Sequence, residues 1–125
     1  MASFTVRELD TIGGADQLQI SSRRFNGTMR PFVTIWGVRD GDHIYVRSAH
    51  GATNGWFRRA VTSGHGWIRA AGAQRRVTFD RVVDAATQQR LDIEYHRKYD
   101  KYGPLMVGPV VGPGVWAVTL RLIAE

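Results

Sequence analysis

The chain has 125 residues, no cysteine and a formal charge of +6 from 17 basic and 11 acidic side chains. This length suits a single domain spanning 1–125, and 43% hydrophobic against 22% charged residues excludes a disordered chain. The missing cysteines exclude disulfides, thiolate catalysis and Cys-based zinc sites, while 15 of the 17 basic residues are arginines, whose donor forks suit phosphate and carboxylate.

Thr5-Val6-Arg7-Glu8 has capping-box spacing, so a short helix is predicted from Val6 to Ile12, ended by Gly13-Gly14. Gln17 to Arg24 alternates, with Leu18 and Ile20 on one face, as a half-buried strand does. An arginine-rich turn follows, Arg23-Arg24-Phe25-Asn26-Gly27-Thr28-Met29-Arg30. Phe32 to Arg39 is a dense apolar run, expected as one strand covered on both faces, with Pro31 tolerated only at its start. Asp40-Gly41 marks a hairpin of type I′. It leads into His43 to Ser48, a strand with Ile44 and Val46 inward.

Asn54 is placed to cap a helix from Gly55 to Ser63 that exposes Arg58 and Arg59 and stops at Gly64. Trp67 to Ala71 and Gln74 to Val83 flank Gly72-Ala73 as a second hairpin. Asp84 precedes a longer helix to Tyr102, with Leu91, Tyr95, Tyr99 and Tyr102 along one face and Arg90, Glu94, Lys98 and Lys101 at spacings that permit charge pairs four apart. Gly103 to Gly114, with three Gly-Pro steps, is excluded from regular helix and is expected to pack as a pocket rim or dimer contact. Val115 to Ile123 alternates as a last strand, with Trp116, Val118, Leu120 and Leu122 pointing one way. The order predicts an α+β chain, mainly β, whose six strands close into an antiparallel barrel with helices over its openings.

Two stretches carry candidate chemistry. The three arginines of the turn are placed to direct guanidinium and amide groups at one phosphate, or simply to be solvated. Ser48-Ala49-His50-Gly51 sets a hydroxyl, an imidazole and a flexible backbone just before a helix; it is either an anion loop or a polar loop with a surface histidine. His43, His50, His65 and His96 have no metal-ligand spacing and no carboxylate cluster, so no metal is expected. No Gly-x-Ser-x-Gly elbow supports hydrolysis. Trp36, Trp56, Trp67 and Trp116 are read first as packing residues. Basic charge with aromatics suits nucleic acid, yet no zinc finger, RNA-binding sheet motif or recognition helix accompanies it, which makes nucleic acid an unlikely partner. Nowhere does an apolar run reach signal-peptide or bilayer-spanning length, so a cytoplasmic protein without a membrane partner is expected.

Taken in order, Ile20 to Tyr99 resembles the split β-barrel flavin- and deazaflavin-dependent nitroreductases, and more closely a bacterial domain family of unknown function with that FMN-binding-like fold. The residues that carry the resemblance are Arg24, Gly27 and Arg30, then Asp40-Gly41, then Ser48 and Gly51, then Trp56. The resemblance implies a six-stranded split barrel, a homodimer, and FMN or a deazaflavin whose phosphate is held by the arginine turn and the loop after Ser48. It implies an oxidoreductase-like protein in which Arg24 and Arg30 hold the phosphate, Ser48, His50 and Gly51 meet the phosphate or ring edge, and Trp56 shapes the pocket wall. Phe25 and Ala49 stand where those proteins carry lysines. These departures favour the alternative: a non-enzymatic barrel that has lost the cofactor and binds another anionic small molecule or a partner.

Overall fold

A computed structural model describes residues 3–125. Helix α1 spans Val6–Gly14, with both halves of the capping box formed between Thr5 and Glu8. Strands β1 (Leu18–Ser22), β2 (Val33–Ile35), β3 (Gly37–Asp40) and β4 (His43–Arg47) precede α2 (Gly55–Ser63). Strands β5 (His65–Ala70) and β6 (Ala73–Arg81) are followed by α3 (Ala85–Tyr99), whose first turn is capped by the Asp84 carboxylate accepting from Thr87 N at 2.9 Å. After a single 3₁₀ turn at Asp100–Tyr102 come α4 (Pro104–Val107), further 3₁₀ turns at Gly108–Val110 and Pro113–Val118, and β7 (Thr119–Ala124).

The sheet has seven strands in the order β2-β1-β5-β6-β7-β4-β3, all pairings antiparallel. The two ends of that order are consecutive in the chain, so the run from β2 to β3 nearly closes a barrel. This corrects the expectation of six strands and of one unbroken strand from Phe32 to Arg39. The break falls at Trp36, which leaves the ladder to stack on Tyr99 with ring centroids 4.1 Å apart and planes 7° from parallel. Gly37 then passes between neighbours: a Cβ there would stand 2.8 Å from Leu18 Cδ2 and 3.0 Å from Tyr45 O.

Two turns differ from expectation by one position. In the β3–β4 hairpin Asp40 pairs with His43, so Gly41 and Asp42 are central, and only Gly41 has positive φ; that is the pattern of type II′, which needs glycine first. In the β5–β6 hairpin Ala70 pairs with Ala73 and the central pair is Ala71-Gly72, both at positive φ. Asn54 precedes α2 but makes no capping hydrogen bond with its side chain, whereas Gly64, at φ 73°, ends the helix as expected. The long helix stops at Tyr99, and its predicted pairs four apart do not form: Arg90 pairs with Asp40 and Lys101 with Asp16, while Glu94 pairs within the helix with Arg97, three residues on. The Gly-Pro segment holds one short α-turn, and the last strand starts at Thr119 because the preceding 3₁₀ turns take up Val115 to Val118.

Two cores result. The barrel interior is filled by Leu18, Ile20, Ile44, Val46, Ile68, Val77, Leu120 and Leu122, closed by Leu9 and Ile12 of α1 and Trp56, Phe57 and Ala60 of α2. The second core lies outside the barrel, where α3 sets Leu91, Tyr95 and Tyr99 over Val38 and Tyr45, joined by Val107 and Val110.

Lys98 sits at the edge of this outer core and donates to Gly37 O at 2.7 Å. Burial pulls its pKa down to about 8 against a nearby Asp16 that favours the charge. The unfolded chain keeps that proton to about pH 10.4, so between pH 8 and 10 it binds more protons than the folded state and stability rises with pH. Burial also holds the Tyr95 and Tyr99 phenols above their ordinary range, so above about pH 10 only the unfolded state ionises them and stability falls. Urea midpoints are therefore expected to climb from pH 8 and turn over near pH 10, and Lys98→Met is expected to abolish the climb.

Candidate functional site

The arginine turn is a built structure. Asn26 Oδ1 accepts from Thr28 N at 3.1 Å and Thr28 Oγ1 at 2.7 Å, as an asparagine side chain does when it mimics backbone in a turn. Gly27, at φ 87°, takes the left-handed position. Arg24 braces the turn through Nη1, which donates to Met29 O at 2.9 Å. The turn is docked from both sides: Ser63 Oγ donates to Arg23 O at 2.7 Å, and Ser21 Oγ donates to Arg30 O at 2.5 Å.

Between this turn and α2 lies a basic chamber of about 660 Å³, lined by Arg23, Arg24, Phe25, Gly27 and Arg30 on one side and Gly55, Arg58, Arg59, Thr62 and Ser63 on the other. No acidic residue lines it. None of its five arginines is in an ion pair among the described residues. The start of α2 faces it at Gly55, adding the partial positive charge of a helix N-terminus, with no acid in the first turn to offset it. The Arg59 guanidinium lies over Gly55, where a Cβ would stand 2.9 Å from its Nη1.

An apolar pocket of about 410 Å³ lies on the other side of Trp56. Its walls are Val33 to Trp36, Ala49 and His50, the ends of α2 and its loop at Asn54 and Trp56, and Leu105, Met106, Pro109 and Val110 of the Gly-Pro segment. Arg47 forms part of its lining. A small cleft of about 10 Å³ lies between the two spaces, sharing Arg30 and Arg59 with the basic chamber and Val33 and Trp56 with the apolar pocket. The chain thus carries two neighbouring concavities, one charged and one greasy.

The sequence candidates are distributed over both. Arg24 and Arg30 line the basic chamber; His50 and Trp56 line the apolar pocket. Ser48 and Gly51 line neither. Ser48 is fully buried, its Oγ donating to Gly51 O at 2.6 Å, and together they shape the loop that carries Ala49 and His50. Sequence reasoning left Arg58 and Arg59 as exposed helix residues and passed over Arg47. The available signal for the first two was a basic pair directly after Trp56, on the helix whose start follows the Ser48 loop. Phe25 stands fully exposed at the tip of the turn, on the lining of the basic chamber, and Ala49 lines the apolar wall. Among the described residues no three His, Cys, Asp or Glu side chains gather as a metal site, and no helix is long and apolar enough to cross a membrane.

A family model described as "Uncharacterized protein conserved in bacteria (DUF2255)" matches residues 8–122. No curated protein matches the sequence. Among solved structures, one from Bacteroides thetaiotaomicron, provisionally assigned to 5-nitroimidazole antibiotic resistance, shares 14% identity over 99% of this chain and 81% of its own, with a TM-score of 0.67. An F420 reductase shares 14% identity over 93% and 90%, with a TM-score of 0.55. A FAD-binding protein from Mesorhizobium loti shares 13% over 99% and 92%, with a TM-score of 0.53. At these identities the likeness shows the fold alone, an antiparallel barrel.

Proposed function

The chain belongs to the DUF2255 family of bacterial proteins, and from the barrel it shares with flavin-binding neighbours we propose that its two concavities hold a flavin- or deazaflavin-type cofactor in an oxidoreductase-like protein. The observation that carries this reading is the pairing of two neighbouring concavities, one with five arginines without acid partners and the other apolar, with Trp56 lining the apolar pocket and the small cleft between them. Such a cofactor supplies hydride chemistry itself, and a protein contributes binding, orientation and electrostatics.

The residues present suit that division. Arg30, shared by the chamber and the connecting cleft, faces the anionic end together with Arg59, and Arg24 keeps the turn in shape. Val33, Ile35, Trp56, Leu105 and Val110 exclude water around the ring end, and Thr34, Arg47, His50 and Asn54 add polar groups to the same lining. Leu105 and Met106 are largely exposed at the rim; a homodimer that covers them belongs to this reading.

Titration of the purified protein with FMN and with a deazaflavin is expected to give saturable binding to one of them. Arg30→Ala is expected to weaken it about tenfold to a hundredfold, the effect of losing a hydrogen bond to a charged group. A folded sample that binds neither overturns the proposal. A native mass spectrum of the fresh protein reads bound cofactor and the dimer together. A second reading, a barrel that binds another anion without catalysis, draws on Phe25 and Ala49, which leave two positions without positive charge. It predicts anion binding with no flavin binding.

A further inference from the structure

Of the fifteen arginines, Arg39, Arg47, Arg75, Arg90, Arg97 and Arg121 pair with carboxylates. The five that line the basic chamber have no such partner among the described residues, and no acid lines the chamber beside them. Their formal charge of +5 compares with +6 for the whole chain. Like charges gathered in one concavity repel, and a bound anion is what offsets that repulsion.

A single phosphate does not use this arrangement up. One phosphate is held by one or two guanidinium forks, and here Arg23, Arg24 and Arg30 come from the turn while Arg58 and Arg59 come from α2 on the facing wall. The chamber alone, at about 660 Å³, is the size of an entire small-molecule site before the apolar pocket is added. Of the nine arginines without a carboxylate partner among the described residues, five share this one concavity. A track for a nucleic-acid strand has its cations spread along an extended groove with aromatic platforms between them.

We infer that the basic chamber takes a small molecule carrying at least two separated anionic groups, one held from the arginine turn and the other by Arg58 and Arg59. The inference rests on the cofactor reading, of which it specifies the anionic end: the ligand extends past a single terminal phosphate toward α2. It also assigns α2 a binding role distinct from its packing role, since Trp56, Phe57 and Ala60 face the core while Arg58 and Arg59 stay exposed.

The test compares orthophosphate, tripolyphosphate, citrate, FMN and a short single-stranded oligonucleotide by calorimetry at one ionic strength. Tripolyphosphate is expected to bind at least about tenfold tighter than orthophosphate, the gain from one further charge-assisted contact. The double variant Arg58→Ala/Arg59→Ala is expected to erase most of that difference. A charge-matched control, Arg7→Ala/Arg76→Ala, removes two exposed arginines outside the chamber and is expected to preserve it. Citrate matching tripolyphosphate marks a polycarboxylate ligand, and weaker citrate marks a polyphosphate; both support the inference. It is overturned by equal affinities for orthophosphate and tripolyphosphate, by equal losses in the two double variants, or by an oligonucleotide that outcompetes tripolyphosphate. Tripolyphosphate binding without binding of either FMN or a deazaflavin removes the cofactor reading and keeps this one; binding of either cofactor without the tripolyphosphate preference does the reverse.

Discussion

Arg47→Ala is expected to lower the unfolding free energy by about 3–5 kcal/mol, the cost of breaking a buried ion pair from one side. The Arg47 side chain is 0% exposed. Its guanidinium donates from Nε to Thr119 Oγ1 at 3.2 Å, from Nη1 to Asp92 Oδ1 at 2.5 Å and Val110 O at 2.8 Å, and from Nη2 to Gln88 Oε1 at 2.8 Å. One side chain thus ties β4 and β7 to α3 and to the Gly-Pro segment. Removing it leaves Asp92 with Gly112 N at 3.1 Å and Trp116 Nε1 at 3.2 Å but without its cation. Val110 O and Gln88 Oε1 would each lose a charge-assisted donor in a dry place. Urea denaturation measures the loss, and Arg47→Met, which keeps apolar volume, is expected to remain well below wild type because the acceptors stay orphaned. A wild-type midpoint in Arg47→Ala would mean that this network does not hold the segment to the barrel. Because Arg47 and Val110 both line the apolar pocket, the same variant is expected to loosen whatever that pocket binds.

Gly66→Ala is expected to cost about 3 kcal/mol, at the upper end of overpacking penalties. A Cβ at Gly66 would stand 2.0 Å from Ser21 O and 2.9 Å from Phe79 Cζ. The strand has no room to move away, since Gly66 is paired with Ser22 of β1 on one side and Val77 of β6 on the other. The damage should reach the basic chamber. Ser21 fixes Arg30 through its hydroxyl, and Arg23 N donates to His65 O at 2.9 Å immediately beside the substituted residue. Thermal and urea unfolding of Gly66→Ala, set against Gly114→Ala where a Cβ meets nothing within 4 Å, checks this. The control is expected to stay within about 0.5 kcal/mol of wild type. Equal stability of the two variants would contradict the β1–β5 register.

Much of the architecture was legible because it rests on local signals. Thr5 and Glu8 form their box, Asp84 caps α3, Gly64 ends α2, and Leu18, Ile20, Ile44 and Val46 point into the barrel as their alternation requires. The candidate site was legible only at one end. The arginine turn announces itself by composition, but α2 supplies the facing arginines and the Gly-Pro segment supplies the far wall, and neither proximity is encoded in spacing. Ser48 looked available as a polar residue at a strand end; its hydroxyl is instead used by the loop it stands in.

The amino-acid sequence by itself determined which residues share a face, where helices begin, that the chain builds an antiparallel sheet, and that positive charge collects at one turn. Those are consequences of side-chain period, capping chemistry and backbone permissiveness, all settled within a few residues. Only the tertiary structure decided that β2 and β3 are separate strands, that Arg47 is enclosed although it alternates with inward-facing Val46, and that a basic and an apolar concavity lie side by side. Each of these depends on what lies across the sheet. Alternation says that Tyr45 and Arg47 face the same way, and only the packing of α3 over that face makes it a second interior.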